Sequence, residues 1–196
     1  MWSLFTYVRD LISGYAWFWW PSNGSDEKTI LLVGLDDAGK TTLTGRLTQN
    51  RLIQAPPTGT PIGHGLKIGS TQLTITDVGG HVQARRIWKN FMHASTRLIF
   101  MLDVSNRPRF AEARHELWKI LMDDDVRSLP ILILGNKIDN VETACSETEL
   151  RQILQIEKFL NESNPRVKLC MCSVARDEGF ADGLRWLISQ HVRVTE

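Results

Sequence analysis

Short apolar runs recur along the chain at 30–34, 73–77, 98–104, 131–135 and 168–172. Between them, apolar residues return every three or four positions, roughly over 40–50, 82–93, 107–123, 146–162 and 178–191. A continuous apolar run suits a strand buried on both faces, and the second spacing is that of a helix with one apolar face. Strands alternating with helices predict an α/β domain, a mostly parallel central sheet flanked by helices. Ligands bind such sheets at the carboxyl ends of the strands. Leu66 to Leu73 breaks the alternation and reads as strand, tight turn, strand. Residues 28–196 form the predicted domain.

The first 20 residues follow another pattern. Leu4, Phe5, Val8, Leu11, Ile12, Tyr15, Phe18 and Trp19 share one helical stripe, and Ser3, Thr6, Arg9, Asp10 and Ser13 lie opposite. This predicts an amphipathic helix over 1–20. Trp2, Trp17 and Trp20 lie off the stripe, which suits a membrane interface more than a core. A helix packed on the domain is the other reading of the stripe. With one Arg, attraction to anionic lipid is small, so insertion would rest on apolar area. No cleavage site of small residues follows, position two is Trp2 where myristoylation needs glycine, and the C-terminal Arg193-Val194-Thr195-Glu196 offers no prenylation cysteine. The helix is therefore the expected anchor, and residues 21–27 are its linker.

Composition narrows the function. A net charge of +1 with no basic tract argues against bulk nucleic-acid binding. Three cysteines, Cys145, Cys170 and Cys172, form no C-x-x-C pair and suit a reducing compartment without disulfides. No run is long enough to span a membrane.

The chemistry sits just after the apolar runs. Gly34-Leu35-Asp36-Asp37-Ala38-Gly39-Lys40-Thr41 matches G-x-x-x-x-G-K-[ST] between a strand run and a helical pattern. Glycines let the backbone wrap a phosphate chain with its N–H groups inward, at the positive end of the following helix. Lys40 would reach the β- and γ-phosphates, and the Thr41 hydroxyl would hold Mg²⁺. About 35 residues on, Asp77-Val78-Gly79-Gly80 places a second carboxylate near that ion and a glycine whose N–H can meet a third phosphate closely. Asn136-Lys137-Ile138-Asp139 ends another strand run. An aspartate there accepts both donors of guanine, which adenine lacks, and a wrong base would leave the carboxylate unpaired. Cys172-Ser173-Val174 closes the last run, where a backbone N–H could meet the guanine oxygen.

Together these motifs resemble those of a Ras-superfamily small GTPase, a P-loop G domain. The run Gly34 to Thr42 resembles the Arf/Sar branch. Gly79-Gly80-His81-Val82-Gln83-Ala84-Arg85-Arg86-Ile87-Trp88-Lys89-Asn90, Pro130 to Asp139 and Met171-Cys172-Ser173-Val174 are similar to the Sar GTPases, the family that initiates the COPII coat. The resemblance covers about residues 28–190 and implies GTP and GDP as ligands with Mg²⁺. It implies nucleotide contacts at Asp36, Ala38, Gly39, Lys40, Thr41, Thr42, Gly80, Asn136, Lys137, Asp139, Cys172, Ser173 and Val174, and metal contacts at Thr41, Asp77 and Thr58, nineteen residues before Asp77. It implies that His81, where Arf proteins have Gln, positions the attacking water. A neutral imidazole can accept a hydrogen bond from that water; the plainer reading is a helix N-terminal residue.

The implied partners are a coat activator that supplies an arginine finger, a membrane-bound exchange factor, and the membrane surface through 1–20. The implied place is the cytosolic face of the endoplasmic reticulum membrane, with the Golgi membrane as a second. Arg85 and Arg86 read as coat-facing switch surface. Relatives slide the 66–73 hairpin by two residues on GTP binding, a slip that keeps each side chain on its face. The chain departs from Sar at Thr60-Pro61-Ile62-Gly63-His64-Gly65, where an acidic pair is missing and three glycines appear between 59 and 65. A GTP-binding scaffold with little hydrolysis is the alternative which that departure favours. A P-loop kinase or ATPase is a third, and Asn136 to Asp139 argues against it.

Overall fold

A computed structural model describes residues 28–49, 61–68, 71–160 and 166–190. The predicted N-terminal helix, its linker and Thr58 lie outside them. Six strands form one sheet: β1 (Lys28–Gly34), β2 (Ile62–Ile68), β3 (Thr71–Asp77), β4 (Arg97–Asp103), β5 (Ile131–Asn136) and β6 (Val167–Met171). Their order is β2-β3-β1-β4-β5-β6, parallel except for the antiparallel β2–β3 pair. The helices are α1 (Lys40–Gln49), α2 (Val82–Arg85), α3 (Trp88–Met92), α4 (Phe110–Leu121), α5 (Glu147–Leu154) and α6 (Ala181–Ser189).

The strands read as continuous apolar runs because both faces are covered. Leu31, Val33, Phe100 and Ile133 face a core built with α3, α4 and α5. Ile30, Leu32, Met101 and Leu134 face the other core, with Leu43 of α1 and Leu184 and Leu187 of α6. The carboxyl end of α6 is fastened below the sheet: Arg97 Nε donates to Leu187 O at 2.9 Å and Lys28 Nζ to Ile188 O at 3.0 Å.

The pattern misplaces three boundaries. β2 begins at Ile62, before the predicted hairpin, and pairs Gly63 with Thr76 and His64 with Ile75. Much of the glycine-rich divergence is thus an edge strand, and among the described residues a Cβ on Gly63 would meet only Thr74 Cγ2, at 4.0 Å. The helical pattern over 82–93 divides into α2 and α3 through two i+3 turns, Arg86 N–H to Gln83 O and Ile87 N–H to Ala84 O. That break lets the Trp88 ring meet Phe100 edge-on at 6.5 Å. The pattern over 146–162 stops at Gln155, left-handed at φ 54°, so that Ile156 turns into the core.

Candidate nucleotide site

β1 delivers the P-loop at its carboxyl end, beside β3. Gly39 has φ +97°, and a Cβ there would stand 2.4 Å from Asn136 Nδ2. Only glycine serves at that point. Lys40 bends over the loop and donates to Gly34 O at 3.0 Å and Leu35 O at 2.8 Å. Burial pushes its pKa down to about 8, although Asp77 and Asp36 pull the other way. The ammonium is thus held ready where a phosphate would favour its charge. Thr41 Oγ1 donates to Asp77 Oδ2 at 2.7 Å, across the β1–β3 pair that sets Leu32 beside Asp77. Thr42 follows, half-buried in the first turn of α1. A hydroxyl and a carboxylate are hard oxygen donors, and this pair fits Mg²⁺ held by few protein ligands. Asp36 presents its backbone to the loop, but its carboxylate turns outward to Arg109 Nη2 at 2.9 Å.

The base end is assembled from strand ends β5 and β6. Asn136 Nδ2 donates to Ala38 O at 2.9 Å, and Asn136 Oδ1 accepts from Val174 N–H at 3.0 Å and Cys172 Sγ at 3.8 Å. One buried amide therefore joins the P-loop to both base motifs. Burial pushes the Cys172 thiol up to about 12, which keeps it a neutral donor. A base oxygen arriving at Val174 would share an N–H already given to Asn136. Ser173 Oγ donates to Asp139 Oδ1 at 2.6 Å and orients the carboxylate proposed for guanine. Lys137, left-handed at φ 71°, pairs with Asp103 at 2.8 Å and Asp37 at 3.2 Å. Burial alone would lower its pKa, but these carboxylates hold it above the usual value.

The switch end is built differently. A Cβ on Gly80 would lie 2.2 Å from Asp36 N and 2.4 Å from Gly34 O, so the glycine backbone rests directly on the P-loop. Trp88 Nε1 donates to Gly79 O at 2.9 Å and fixes the preceding peptide. His81 caps α2: its Nδ1 accepts from Ala84 N–H at 3.3 Å. An accepting Nδ1 assigns the proton of a neutral ring to Nε2, so accepting a hydrogen bond from water requires the ring to leave the cap. Arg86 is exposed, as expected of switch surface. Arg85 is not: its side chain is 8% exposed, pairs with Glu112 at 2.7 Å and donates Nε to Gly80 O at 2.7 Å. Sequence reasoning also missed Arg109, Glu112 and Asp103. They belong to no phosphate or base motif, and only the packing of β4 and α4 beside the P-loop brings them in.

A P-loop with a paired threonine and aspartate, and an N-K-x-D strand end tied to it, define a guanine-nucleotide-binding domain. The family model "Arf: ADP-ribosylation factor family" matches residues 21–191, and the chain belongs to that family. It is 36% identical to the "Small COPII coat GTPase SAR1" of Giardia intestinalis, over 81% of this chain and 87% of that one. Against the protein of the same name from Nicotiana tabacum it is 33% identical, over 85% and 90% of the two chains. Among solved structures, that of the Arl6 BBS3 small GTPase from Trypanosoma brucei with bound GppNp shares the fold. It has a TM-score of 0.73 and 23% identity and covers 83% of this chain and 95% of that one. The chain is a small GTPase that binds GTP and GDP with Mg²⁺.

Proposed function

We propose that this GTPase is a Sar-type switch. In its GTP form it recruits COPII coat at the cytosolic face of the endoplasmic reticulum, and hydrolysis releases it. The observation that carries this reading is the likeness to two SAR1 proteins over more than four-fifths of the chain. Residues 1–20 would hold the membrane, residues 21–27 would link, and 28–196 would form the switch domain. Among the described residues no helix is long and apolar enough to cross a membrane. A groove of about 580 Å³ beside the proposed switch, with Val82, Trp88, Met92 and Ile120 in its walls, offers coat a surface built from α2, α3 and α4.

In this reading Lys40 and the P-loop N–H groups hold the phosphates, Asp139 reads guanine, and Gly80 meets the third phosphate. Thr41 and Asp77, with Thr58 from outside the described residues, would hold Mg²⁺, which neutralises phosphate charge when bound. His81 orients the attacking water once its ring is free of the cap. That requirement makes unassisted turnover slow and leaves charge stabilisation to an activator's arginine, worth about 10³–10⁵ in rate. A membrane-bound exchange factor would reload the site.

Single-turnover GTP hydrolysis, with and without the inner-coat activator, tests this for the wild type and His81→Gly. Slow basal turnover, strong activation and its loss in the variant are expected. Tight GTP binding with no stimulated hydrolysis would instead establish the scaffold reading, which the engaged Nδ1 of His81 favours.

A further inference from the structure

Two arginines from separate elements converge beside the P-loop. Arg109, just ahead of α4, donates Nη2 to Asp36 Oδ1 at 2.9 Å, Nη1 to Asp36 O at 3.2 Å and Nε to Glu112 Oε2 at 2.9 Å. Arg85 of α2 lies 2.7 Å from Glu112, 3.5 Å from Glu116 and 3.7 Å from Asp36. Its Nε holds Gly80 O. The P-loop, the switch and α4 are thus tied at one point, with Glu112 shared by both arginines.

Asp36 is the critical member. Its backbone N lies 2.2 Å from the place a Cβ on Gly80 would take, so it sits at the end of the loop that a third phosphate would approach. A carboxylate swung inward there would stand against phosphate oxygens of like charge and would compete for the Lys40 ammonium. Arg109 grips both the carboxylate and the carbonyl of this residue, a fork that a single-point cation cannot reproduce.

We propose that Arg109 is a positioning residue for the third phosphate. It draws the Asp36 carboxylate out of the phosphate cradle, and through Glu112 it couples that setting to Arg85 and the Gly80 peptide. A diphosphate, ending short of this point, is indifferent to it. The inference rests on GTP and GDP binding and on the placement of Gly80 at the third phosphate. It does not depend on which coat or membrane the switch serves.

The test is the dissociation constant of the full-length chain for GDP and for GppNp in excess Mg²⁺. Arg109→Gln is expected to weaken GppNp about tenfold and GDP less than twofold, the scale of one like-charge contact at a partly screened site. Arg109→Lys should fall between it and the wild type. Adding Asp36→Asn to Arg109→Gln should restore GppNp affinity to within about twofold, because the repelling charge is gone. GDP affinity reports the integrity of the fold in each variant. Equal loss for both nucleotides would reduce Arg109 to a structural role and overturn the proposal. No change for either, or a GppNp loss that Asp36→Asn fails to restore, would overturn it as well.

Discussion

The two ends of the nucleotide site are held together by different forces. At the base end a neutral amide, Asn136, bonds backbone groups of the P-loop and of the segment after β6, all of them buried. At the switch end, beside the Trp88 bond to Gly79 O, the ties to the P-loop and α4 are arginine–carboxylate pairs with carboxylates that remain partly in water, Asp36 at 42% and Glu112 at 37% exposure. Buried neutral bonds are costly to break and insensitive to salt, whereas partly exposed ion pairs are individually weak and screened. The difference suits the proposed switch: the base end would stay built in both nucleotide states, and the end proposed for the third phosphate would rearrange at small cost.

The hardest way to break the comparison is at Asn136. Asn136→Ala strands Ala38 O and the Val174 N–H, at about 1–3 kcal/mol each, so GDP affinity should drop roughly 100-fold. A fluorescent-GDP titration checks it, and a change under about fivefold would show that the base end does not depend on this amide. Gly80→Ala acts only at the other end. Its Cβ would meet Asp36 N at 2.2 Å, so the switch must lift from the P-loop. GppNp binding should fall at least about tenfold while GDP affinity holds within about threefold, both read in one competition series. Equal losses would erase the distinction between the ends.

Trp88→Phe is milder. It keeps an aromatic ring against Phe100 but leaves Gly79 O without its donor, costing about 1–3 kcal/mol. Thermal unfolding of the GDP form should shift down by about 2–12 °C, with GDP affinity unchanged.

Acid titration gives the smallest effect. Hydrogen bonds from Arg109 hold both Asp36 and Glu112 below the usual carboxylate range, against the upward pull of burial. A depressed folded value means that the unfolded chain binds more protons over this window. The stability from these groups is therefore complete above about pH 4.5 and is lost as pH falls through the lower folded values. Arg109→Gln should flatten the acid limb of a stability–pH curve, whereas Asn136→Ala should lower the curve without changing its slope.

These contrasts were unequally legible. The P-loop, Asp77 to Gly80, Asn136 to Asp139 and Cys172 to Val174 are local strings whose residue types state their own geometry. Asn136 could be named for its motif, but nothing in the string says that its amide clasps Ala38. Arg85 could be placed on a switch helix, yet nothing in the string marks its side chain as turning in to Glu112 rather than out to a partner. His81 carried both of its readings in the sequence. The cap contact favours the plainer one for this arrangement and leaves the catalytic one conditional on movement.

The sequence by itself determined the alternating α/β order, the faces of the strands and the positions of the phosphate and base motifs. Periodicity and local turn chemistry act within a few residues, so they are written locally. Only the tertiary structure decided that β2 runs back to Ile62, that the switch helix breaks so Trp88 can reach Gly79, and that Arg109 and Glu112 join Arg85 beside Asp36. Each of these depends on residues far apart in the chain meeting across strands and helices. Close packing and the satisfaction of buried polar groups then choose among conformations that local preference leaves nearly equal.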